Sequence, residues 1–123
     1  MTLRVLLVED SRVLTERLRE SLDGLENVEV VGAVADESAA VSAALAQAVD
    51  VIILDLQLKE GTGFGVVQRL GKARPTIIVF TNYMLPEYQR RARALGVEYF
   101  LNKSVDYERL PQLLLEIHAG KPH

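Results

Sequence analysis

Charged and hydroxyl side chains stand directly after apolar runs at several points of this sequence. They are Glu9 and Asp10, Asp55, Thr81 and Lys103. The runs before them have the composition of buried β-strands. In a parallel α/β sheet the carboxyl ends of the strands lie along one edge, where ligands bind. The spacing therefore predicts that three carboxylates, a hydroxyl and an ammonium group meet on one rim of a sheet.

The chemistry of such a rim follows from its residue types. Three carboxylates at short range repel one another, and each resists ionisation unless a cation is present. The chain has no cysteine and only two histidines, so the available ligands are oxygen atoms. Oxygen ligands favour a hard cation, and we expect Mg²⁺, with Mn²⁺ able to replace it. A lysine and a threonine complement phosphoryl oxygens, and a carboxylate can act as the nucleophile that forms an acyl phosphate.

Five short apolar runs have the length and the β-branched content of strands. They are Leu3–Val8, Val28–Val34, Val51–Leu54, Ile77–Phe80 and Tyr99–Leu101. The runs are apolar throughout instead of alternating with polar residues. We therefore expect strands that are covered on both faces, as in a parallel sheet.

Segments of helical periodicity follow each of these runs. Their start and stop signals are, in chain order, a cap at Asp10 or Ser11, a cap at Asp36 or Ser38, a glycine-rich loop before Phe64, Pro86 with Gly96, and a cap at Asp106 with Gly120. Such capping and stop residues are typical of helix ends. Pro111 falls within the last segment and predicts a late start or a slight kink there.

Strand and helix thus alternate five times, which predicts an α/β fold with a doubly wound, five-stranded parallel sheet. The expected topology is the flavodoxin-like (βα)5 arrangement with strand order 2-1-3-4-5. In that order the four strands that carry the polar residues are consecutive neighbours. We expect a single domain over residues 1–123, with a folded core of about 3–119 and a tail or linker stump at 120–123.

Composition excludes several classes of protein. The chain has 123 residues, of which 49% are hydrophobic and 25% charged, a mix typical of a globular domain. The absence of cysteine excludes disulfides, thiolate catalysis and cysteine–metal sites, and no apolar run is long enough to span a membrane. The net charge of −3 argues against direct DNA binding. We expect a cytoplasmic location.

The sequence resembles the receiver domains of two-component response regulators, in particular the single-domain receivers similar to chemotaxis regulators. The resemblance covers essentially the whole chain. It is carried by the pair Glu9-Asp10, by Asp55 with Gly63 eight residues beyond it, by Thr81, and by Lys103 with Phe100 before it. Each element alone is a weak signal, but their order at the ends of the expected strands makes a specific pattern.

This resemblance implies a role for each residue of the acidic rim. Asp55 would be the phosphoacceptor. Asp10, Asp55 and the backbone carbonyl of Gln57 would bind Mg²⁺, and Glu9 would act through water. The donor would be a histidine kinase or a histidine phosphotransfer protein. The domain would assist its own phosphorylation and dephosphorylation without being a conventional enzyme.

The resemblance also implies a switch. Thr81 and Lys103 would contact the phosphoryl group, and Thr81 and Phe100 would move together on phosphorylation. Gln57 and Tyr83 would tune dephosphorylation. Output would go to a downstream protein target or effector domain, through the fourth helix, the fifth strand and the last helix. The chain would be a stand-alone receiver or a fragment of a longer regulator.

Three positions depart from the family pattern. Lys59 and Ser104 stand where proline is common, and Tyr83 is a large side chain close to Thr81. They bear on loop geometry and on the lifetime of the phosphorylated state. Because a cis bond before a non-proline residue costs about 3–4 kcal/mol, we expect a trans bond between Lys103 and Ser104.

Two alternative functions remain open from the residues alone. One is a receiver-like interaction domain that is not regulated by phosphorylation. The other is an aspartyl-phosphate phosphatase, although Asp55-Leu56-Gln57 lacks the second acid that phosphatases of the haloacid dehalogenase type carry. The segment from Gly61 to Gly65 does not have the spacing of a dinucleotide-binding motif, and we interpret it as a loop that needs positive φ at glycine. The arginines at 90, 91 and 93 indicate a solvated helix face.

Overall fold

The computed structural model describes residues 2–120, which form five strands and five α-helices in strict alternation. In chain order the elements are β1 (Leu3–Val8), α1 (Arg12–Asp23), β2 (Val28–Val34), α2 (Glu37–Ala46), β3 (Val51–Leu54), α3 (Gly63–Leu70), β4 (Thr76–Thr81), α4 (Pro86–Ala94), β5 (Tyr99–Asn102), and a 3₁₀ turn (Tyr107–Arg109) that leads into α5 (Leu110–Gly120). Every predicted strand is present. Residues 121–123 of the predicted tail lie outside the described part, and Gly120 is the last residue of α5 instead of the first of a tail.

The five strands form one parallel sheet in the order β2-β1-β3-β4-β5, which confirms the predicted fold class and topology. Its register brings the strand ends into line. Val8 pairs with Leu54, so the residues that follow these two are neighbours. Thr81 pairs with Asn102 at the other side of the sheet. The rim of the sheet is therefore built from β1, β3, β4 and β5.

Hydrophobic side chains cover both faces of the sheet, as the continuous apolar runs predict. On one face Leu6 and Ile52 pack with residues of α2, α3 and α4, such as Val67. On the other face Leu7 packs with residues of α1 and α5, such as Leu18. Burial of a leucine side chain stabilises the folded state by roughly 1.5–3 kcal/mol relative to leaving it exposed. The core on both faces therefore stabilises the sheet whose strand ends form the rim.

Side-chain caps define the starts of the first three helices. Ser11 accepts a hydrogen bond from the N–H of Leu14 at 3.3 Å, so Ser11 caps α1 in preference to Asp10. Asp36 caps α2 through the N–H of Ala39 at 2.8 Å. These bonds satisfy backbone donors that have no partner inside the helix. Asp10 is thereby left exposed at the rim.

Asp106 is the N-cap residue of the 3₁₀ turn that leads into α5, so the predicted position is confirmed, but its side chain does not form the cap. Asp106 stands before the 3₁₀ turn, but its carboxylate makes no capping bond there. It accepts hydrogen bonds from the N–H of Asn102 at 2.9 Å and from the guanidinium of Arg109 at 3.0 Å. Pro111 falls in the first turn of α5, where its missing N–H costs nothing, which confirms a late start.

Two asparagines determine the path of the chain after β5. The carboxamide oxygen of Asn102 accepts hydrogen bonds from the N–H groups of Ser104 and Val105 at 2.8 and 3.0 Å. The hydroxyl of Ser104 lies 3.2 Å from Oδ1 of Asn82. The bond between Lys103 and Ser104 is trans, as predicted. The hydrogen bonds accepted by Asn102 thus determine the conformation of this loop, which has no proline.

Candidate functional site

Four predicted residues lie at the carboxyl ends of β1, β3 and β4, where the register brings them together. Thr81 is fully buried, and Asp55 and Glu9 are 5% and 6% exposed. Asp10 is exposed at the same rim. The backbone N–H of Asp55 donates to the carbonyl of Val8 at 3.0 Å, which extends the strand pairing by one residue into the site. The site therefore lies directly at the paired ends of β1 and β3.

Lys103 bridges the two buried carboxylates. Its Nζ lies 2.7 Å from Oδ2 of Asp55 and 2.5 Å from Oε1 of Glu9. The backbone N–H of Lys103 donates to the carbonyl of Thr81 at 3.0 Å, so the lysine is held in line with β4. The resemblance paired Lys103 with a phosphoryl group and did not predict its contact with Glu9. The single ammonium group offsets one of the two negative charges that ionised Glu9 and Asp55 carry.

Burial and ion pairing compete in setting the protonation of this cluster. Burial raises the pKa of Glu9, and this outweighs the lowering by Lys103 and by the N–H of Ser11, which donates to Oε2 of Glu9 at 2.8 Å. Burial acts to lower the pKa of Lys103, but the hydrogen bonds that its ammonium group donates to Asp55 and Glu9 reverse this and raise the pKa overall. The lysine therefore stays charged, and Glu9 takes up a proton more readily than an exposed glutamate.

The donor set fits a hard divalent cation. One carboxylate oxygen from each of Glu9, Asp10 and Asp55 lies within 4.8 Å of the others. All three ligands are oxygens, and Asp10 is open to water. Mg²⁺ prefers a few carboxylates and keeps several water molecules, so these three residues match its requirements.

Gly63 has a steric reason for its place eight residues after Asp55. A Cβ at this position would overlap the carbonyl oxygen of Asp55 and lie 2.9 Å from the Cα of Leu56. The N–H of Gly63 donates to the carbonyl of Leu56 at 2.9 Å, and Gln57 pairs with Thr62 in a short antiparallel bridge. The β3–α3 loop, residues 55–62, therefore folds back on itself. It presents Gln57 beside the site, where the N–H of Gln57 lies 3.4 Å from Oδ1 of Asp55.

The predicted switch residues lie on two neighbouring strands, Thr81 at the end of β4 and Phe100 within β5. The hydroxyl of Thr81 accepts a hydrogen bond from the N–H of Tyr83 at 3.2 Å. Phe100 is half-buried, pairs across the sheet with Val79 and packs against the core on the α2–α3–α4 side. Tyr83 is 43% exposed and meets the ring of Tyr88 edge-on at 6.2 Å. The switch roles of Thr81 and Phe100 stay predictions.

An aromatic cluster borders the site on the side of α4. The rings of Phe64 and Tyr88 lie 6.3 Å apart, and together with Tyr83 they line a pocket of about 240 Å³ next to Gln57. The guanidinium of Arg91 lies 4.4 Å from the ring centroid of Phe64. Arg91 is thus exposed, as predicted for this helix face, but it is also engaged with α3.

Sequence reasoning missed two residues that shape the loops of the site. Asn102 could have been recognised, because asparagine before a loop often binds backbone N–H groups two and three residues further on. Glu37 gave no signal, because the loop it contacts is 25 residues away in the sequence. Among residues 2–120, no helix combines the length and the apolar character needed to cross a membrane.

Comparison with known proteins agrees with this geometry. The family model described as response regulator receiver domain matches residues 5–115. A protein-glutamate methylesterase/protein-glutamine glutaminase 2 of Shewanella sp. (strain MR-4) is 31% identical over the whole chain, which spans 37% of that relative's length. The transcriptional regulatory protein DesR of Bacillus subtilis is 28% identical over 95% of the chain and 59% of its own length.

Solved structures give the same result. The response regulator domain of Thermotoga maritima CheB superposes with a TM-score of 0.85 at 25% identity, covering 99% of this chain and 100% of that one. The isolated REC domain of RcsB from Salmonella enterica, in the presence of phosphomimetic BeF₃⁻, gives a TM-score of 0.87 at 25% identity, covering 100% of this chain and 93% of that one. The chain therefore belongs to the family of response regulator receiver domains.

Proposed function

We propose that this receiver accepts a phosphoryl group on Asp55 and acts as the switch of a two-component phosphorelay. The observation that carries the proposal is the position of Asp55. Its buried carboxylate is 2.7 Å from the ammonium group of Lys103 and shares the rim with Glu9 and Asp10. Receiver domains of this family serve as phosphoacceptor switches in two-component signalling.

In the proposed reaction a carboxylate oxygen of Asp55 attacks the phosphorus atom of a phosphohistidine. A new O–P bond forms, the P–N bond breaks, and the electron pair of that bond leaves with the imidazole of the donor. In this reaction Lys103 would neutralise charge on the phosphoryl oxygens, and the hydroxyl of Thr81 would donate a hydrogen bond to one of them. Such positioning and charge neutralisation are what phosphoryl transfer requires.

Receiver domains bind Mg²⁺ at an acidic pocket, and the cluster here has the required oxygen donors. We assign Asp10, Asp55 and the backbone carbonyl of Gln57 as the protein ligands, with Glu9 acting through water. A bound Mg²⁺ ion supplies positive charge against the phosphoryl oxygens. Because Lys103 already offsets part of the negative charge of Glu9 and Asp55, the site attracts a cation less strongly than three carboxylates without a counter-charge would.

Receiver domains interact with histidine kinases and with effector domains. For this chain we propose a histidine kinase or histidine phosphotransfer protein as the donor. We place output on α4, β5 and α5, to which Thr81 and Phe100 are connected through the sheet. The exposed arginines at 90, 91 and 93 give α4 a net positive charge, so an acidic protein surface is the partner that this helix favours.

Two alternatives are less well supported. A receiver-like interaction domain without phosphorylation would have no need for the acceptor, the lysine and both acids, yet Lys103 contacts Asp55 and Glu9 directly. A phosphatase of the haloacid dehalogenase type carries a second acid two residues after its nucleophile, whereas Gln57 stands at that position here. The methylesterase and transcriptional relatives are much longer than this chain, so their activities are not transferred to it.

The test is phosphorylation with acetyl phosphate in the presence of Mg²⁺, followed by intact-mass measurement. We expect one added phosphoryl group, labile to base and to hydroxylamine. Asp55→Asn should abolish the addition and keep the fold, whereas Asp23→Asn, an exposed aspartate at the end of α1, should leave it unchanged. Labelling of Asp55→Asn to the wild-type level would reject Asp55 as the acceptor.

A further inference from the structure

The glycine-rich segment from Gly61 to Gly65 encloses a carboxylate that comes from α2. Oε1 of Glu37 accepts a hydrogen bond from the N–H of Thr62 at 3.0 Å. A Cβ at Gly61 would lie 2.7 Å from that oxygen, and a Cβ at Gly65 would overlap the carboxylate. Gly61 also has a φ of +81°, which a side chain would strain. The glycines at both positions therefore make room for Glu37.

Backbone hydrogen bonds join the same two segments. The N–H of Glu37 donates to the carbonyl of Glu60 at 3.0 Å, and the N–H of Lys59 donates to the carbonyl of Ala35 at 3.1 Å. Lys59 stands where the family commonly has proline, and proline has no N–H to donate. The departure at this position thus has a structural consequence, because it allows an additional bond between the β3–α3 loop and the start of α2.

Arg69 contributes little to the contact between the start of α2 and the β3–α3 loop. Its Nη1 lies 3.3 Å from Oε2 of Glu37, but its side chain is 48% exposed. Exposed ion pairs of this kind stabilise proteins by about 0–1 kcal/mol. The bond between Glu37 and the N–H of Thr62 is the more important one, because its acceptor is charged and its donor is part of the loop itself.

Two backbone contacts connect Thr62 and Gly63, next to Glu37, with the residues that follow Asp55. Thr62 pairs with Gln57, and Gly63 donates its N–H to the carbonyl of Leu56. Thr62 also caps α3 through the N–H of Gly65 at 3.0 Å. A displacement of Thr62 therefore moves Gln57, whose backbone we assign as a metal ligand next to Asp55.

We propose that Glu37 is a positioning residue for the phosphoryl site. It holds Thr62, and thereby the backbone of Gln57, in the geometry that binds Mg²⁺ and supports phosphorylation of Asp55. Glu37 itself does not touch Asp55 or the acidic cluster. The inference rests on the proposed function of Asp55, since it describes how the same site is kept in shape.

Three variants of Glu37 separate this role from a general contribution to stability. Glu37→Ala removes the acceptor, Glu37→Asp keeps the charge but withdraws it by one methylene, and Glu37→Gln keeps an oxygen at the same reach. Glu29→Ala is the matched control, because it removes an exposed glutamate that pairs with Arg4 at 3.4 Å, far from the loop. The readouts are the Mg²⁺ dissociation constant, the rate of phosphorylation by acetyl phosphate, and the amide shifts of Gln57 and Thr62 without metal.

We expect Glu37→Ala and Glu37→Asp to weaken Mg²⁺ binding about tenfold, the lower end of the range for residues that support metal ligands. Both should slow phosphorylation and move the amide signals of Gln57 and Thr62. Glu37→Gln should restore most of the affinity, and Glu29→Ala should match the wild type. If Glu37→Ala does not fold, the comparison between Glu37→Asp and Glu37→Gln provides the same test.

The inference is overturned if Glu37→Ala and Glu37→Asp keep the wild-type Mg²⁺ affinity and the wild-type amide shifts. It is also overturned if Glu37→Gln is as impaired as Glu37→Asp, because the hydrogen bond would then not be the cause. Either result leaves the proposed function intact as long as Asp55→Asn alone abolishes labelling. Conversely, full labelling of Asp55→Asn would reject the proposed function, while the metal affinities and amide shifts would still decide the role of Glu37.

Discussion

Replacement of Lys103 by methionine tests the charge balance of the site most directly. The substitution keeps much of the apolar length of the side chain and removes the ammonium group that contacts Glu9 and Asp55 at 2.5 and 2.7 Å. The two acids are then left with less than a tenth of their surface exposed and with no counter-charge at these distances. We expect the variant to fold with reduced stability and to respond more strongly to Mg²⁺.

The size of the effect follows from burial. Removing one partner of a fully buried ion pair costs about 3–5 kcal/mol. The side chain of Lys103 is 15% exposed, so water reaches part of the site, and we expect a loss of about 2 kcal/mol at neutral pH. This is a substantial share of the roughly 5–15 kcal/mol by which a domain of this size is stable.

The loss should depend on pH. Burial raises the pKa of Glu9 in the folded protein above its ordinary value of 4.5. A carboxyl group with a raised pKa destabilises the fold increasingly as the pH rises from the unfolded value through the folded one. Without Lys103 this rise in pKa is larger. The stability difference between Lys103→Met and the wild type should therefore be small near pH 4.5 and reach its full size at neutral pH.

Urea unfolding, followed by circular dichroism with and without Mg²⁺, measures these differences. Added Mg²⁺ should stabilise Lys103→Met more than the wild type, because the ion no longer competes with the ammonium group for the two acids. Lys72→Met, which removes an exposed lysine at the other end of the sheet, is the matched control. The reasoning is refuted if Lys103→Met unfolds at the wild-type urea concentration at neutral pH without Mg²⁺.

Three further changes test other parts of the structure. Asp10→Ala should weaken Mg²⁺ binding measured by calorimetry and, because carboxylate repulsion is relieved, raise the urea midpoint of the metal-free protein; an unchanged Mg²⁺ affinity would contradict the assignment of this ligand. Gly65→Ala should lower the free energy of unfolding by about 1 kcal/mol, because the added Cβ displaces the carboxylate of Glu37. In a Glu37→Ala background the same substitution should raise the free energy of unfolding by about 0.5 kcal/mol, because only the helix preference of alanine remains. Equal effects in both backgrounds would exclude that contact. The hydrogen bond from the N–H of Asn102 lowers the pKa of Asp106 below its ordinary value of 3.8. The ionised carboxylate therefore stabilises the fold above pH 3.8, and this contribution is lost as the pH falls through the lower pKa of the folded protein. The difference in urea midpoint between the wild type and Asp106→Ala should shrink on acidification, and a difference that stays constant down to about pH 2 would show that the charge is not involved.

Much of the fold could be predicted from the sequence because its signals are local. The five apolar runs coincide with the five strands, and β1, β2 and β3 have the predicted bounds. A run that is apolar at every position is compatible only with burial on both faces, and the alternation with helices then leaves few topologies. For the first two helices the sequence left two candidate cap residues each, and the hydrogen bonds of the structure identify Ser11 and Asp36 as the caps.

The members of the rim could also be predicted, because parallel strands deliver the residues after their ends to one edge of the sheet. What the sequence could not show is how those side chains share their interactions. Lys103 contacts Glu9 as well as Asp55, which depends on the register that places Val8 beside Leu54 and Thr81 beside Asn102. Register is a property of the assembled sheet, so it is not encoded in any one segment.

The loops show the same division between local and tertiary information. Glycine at 61, 63 and 65 predicted a loop that needs positive φ. Gly61 has that φ, but Gly63 and Gly65 lie in the first turn of α3, so this part of the prediction is wrong. Only the tertiary structure shows that Glu37, from a different βα unit, fills the space that Gly61 and Gly65 leave. Likewise the carboxylate of Asp106 binds back to the end of β5 instead of capping a helix. Periodicity and capping are determined by neighbouring residues, whereas contacts between loops depend on where the sheet and helices place them, and this is why the sequence predicted the site but not its supports.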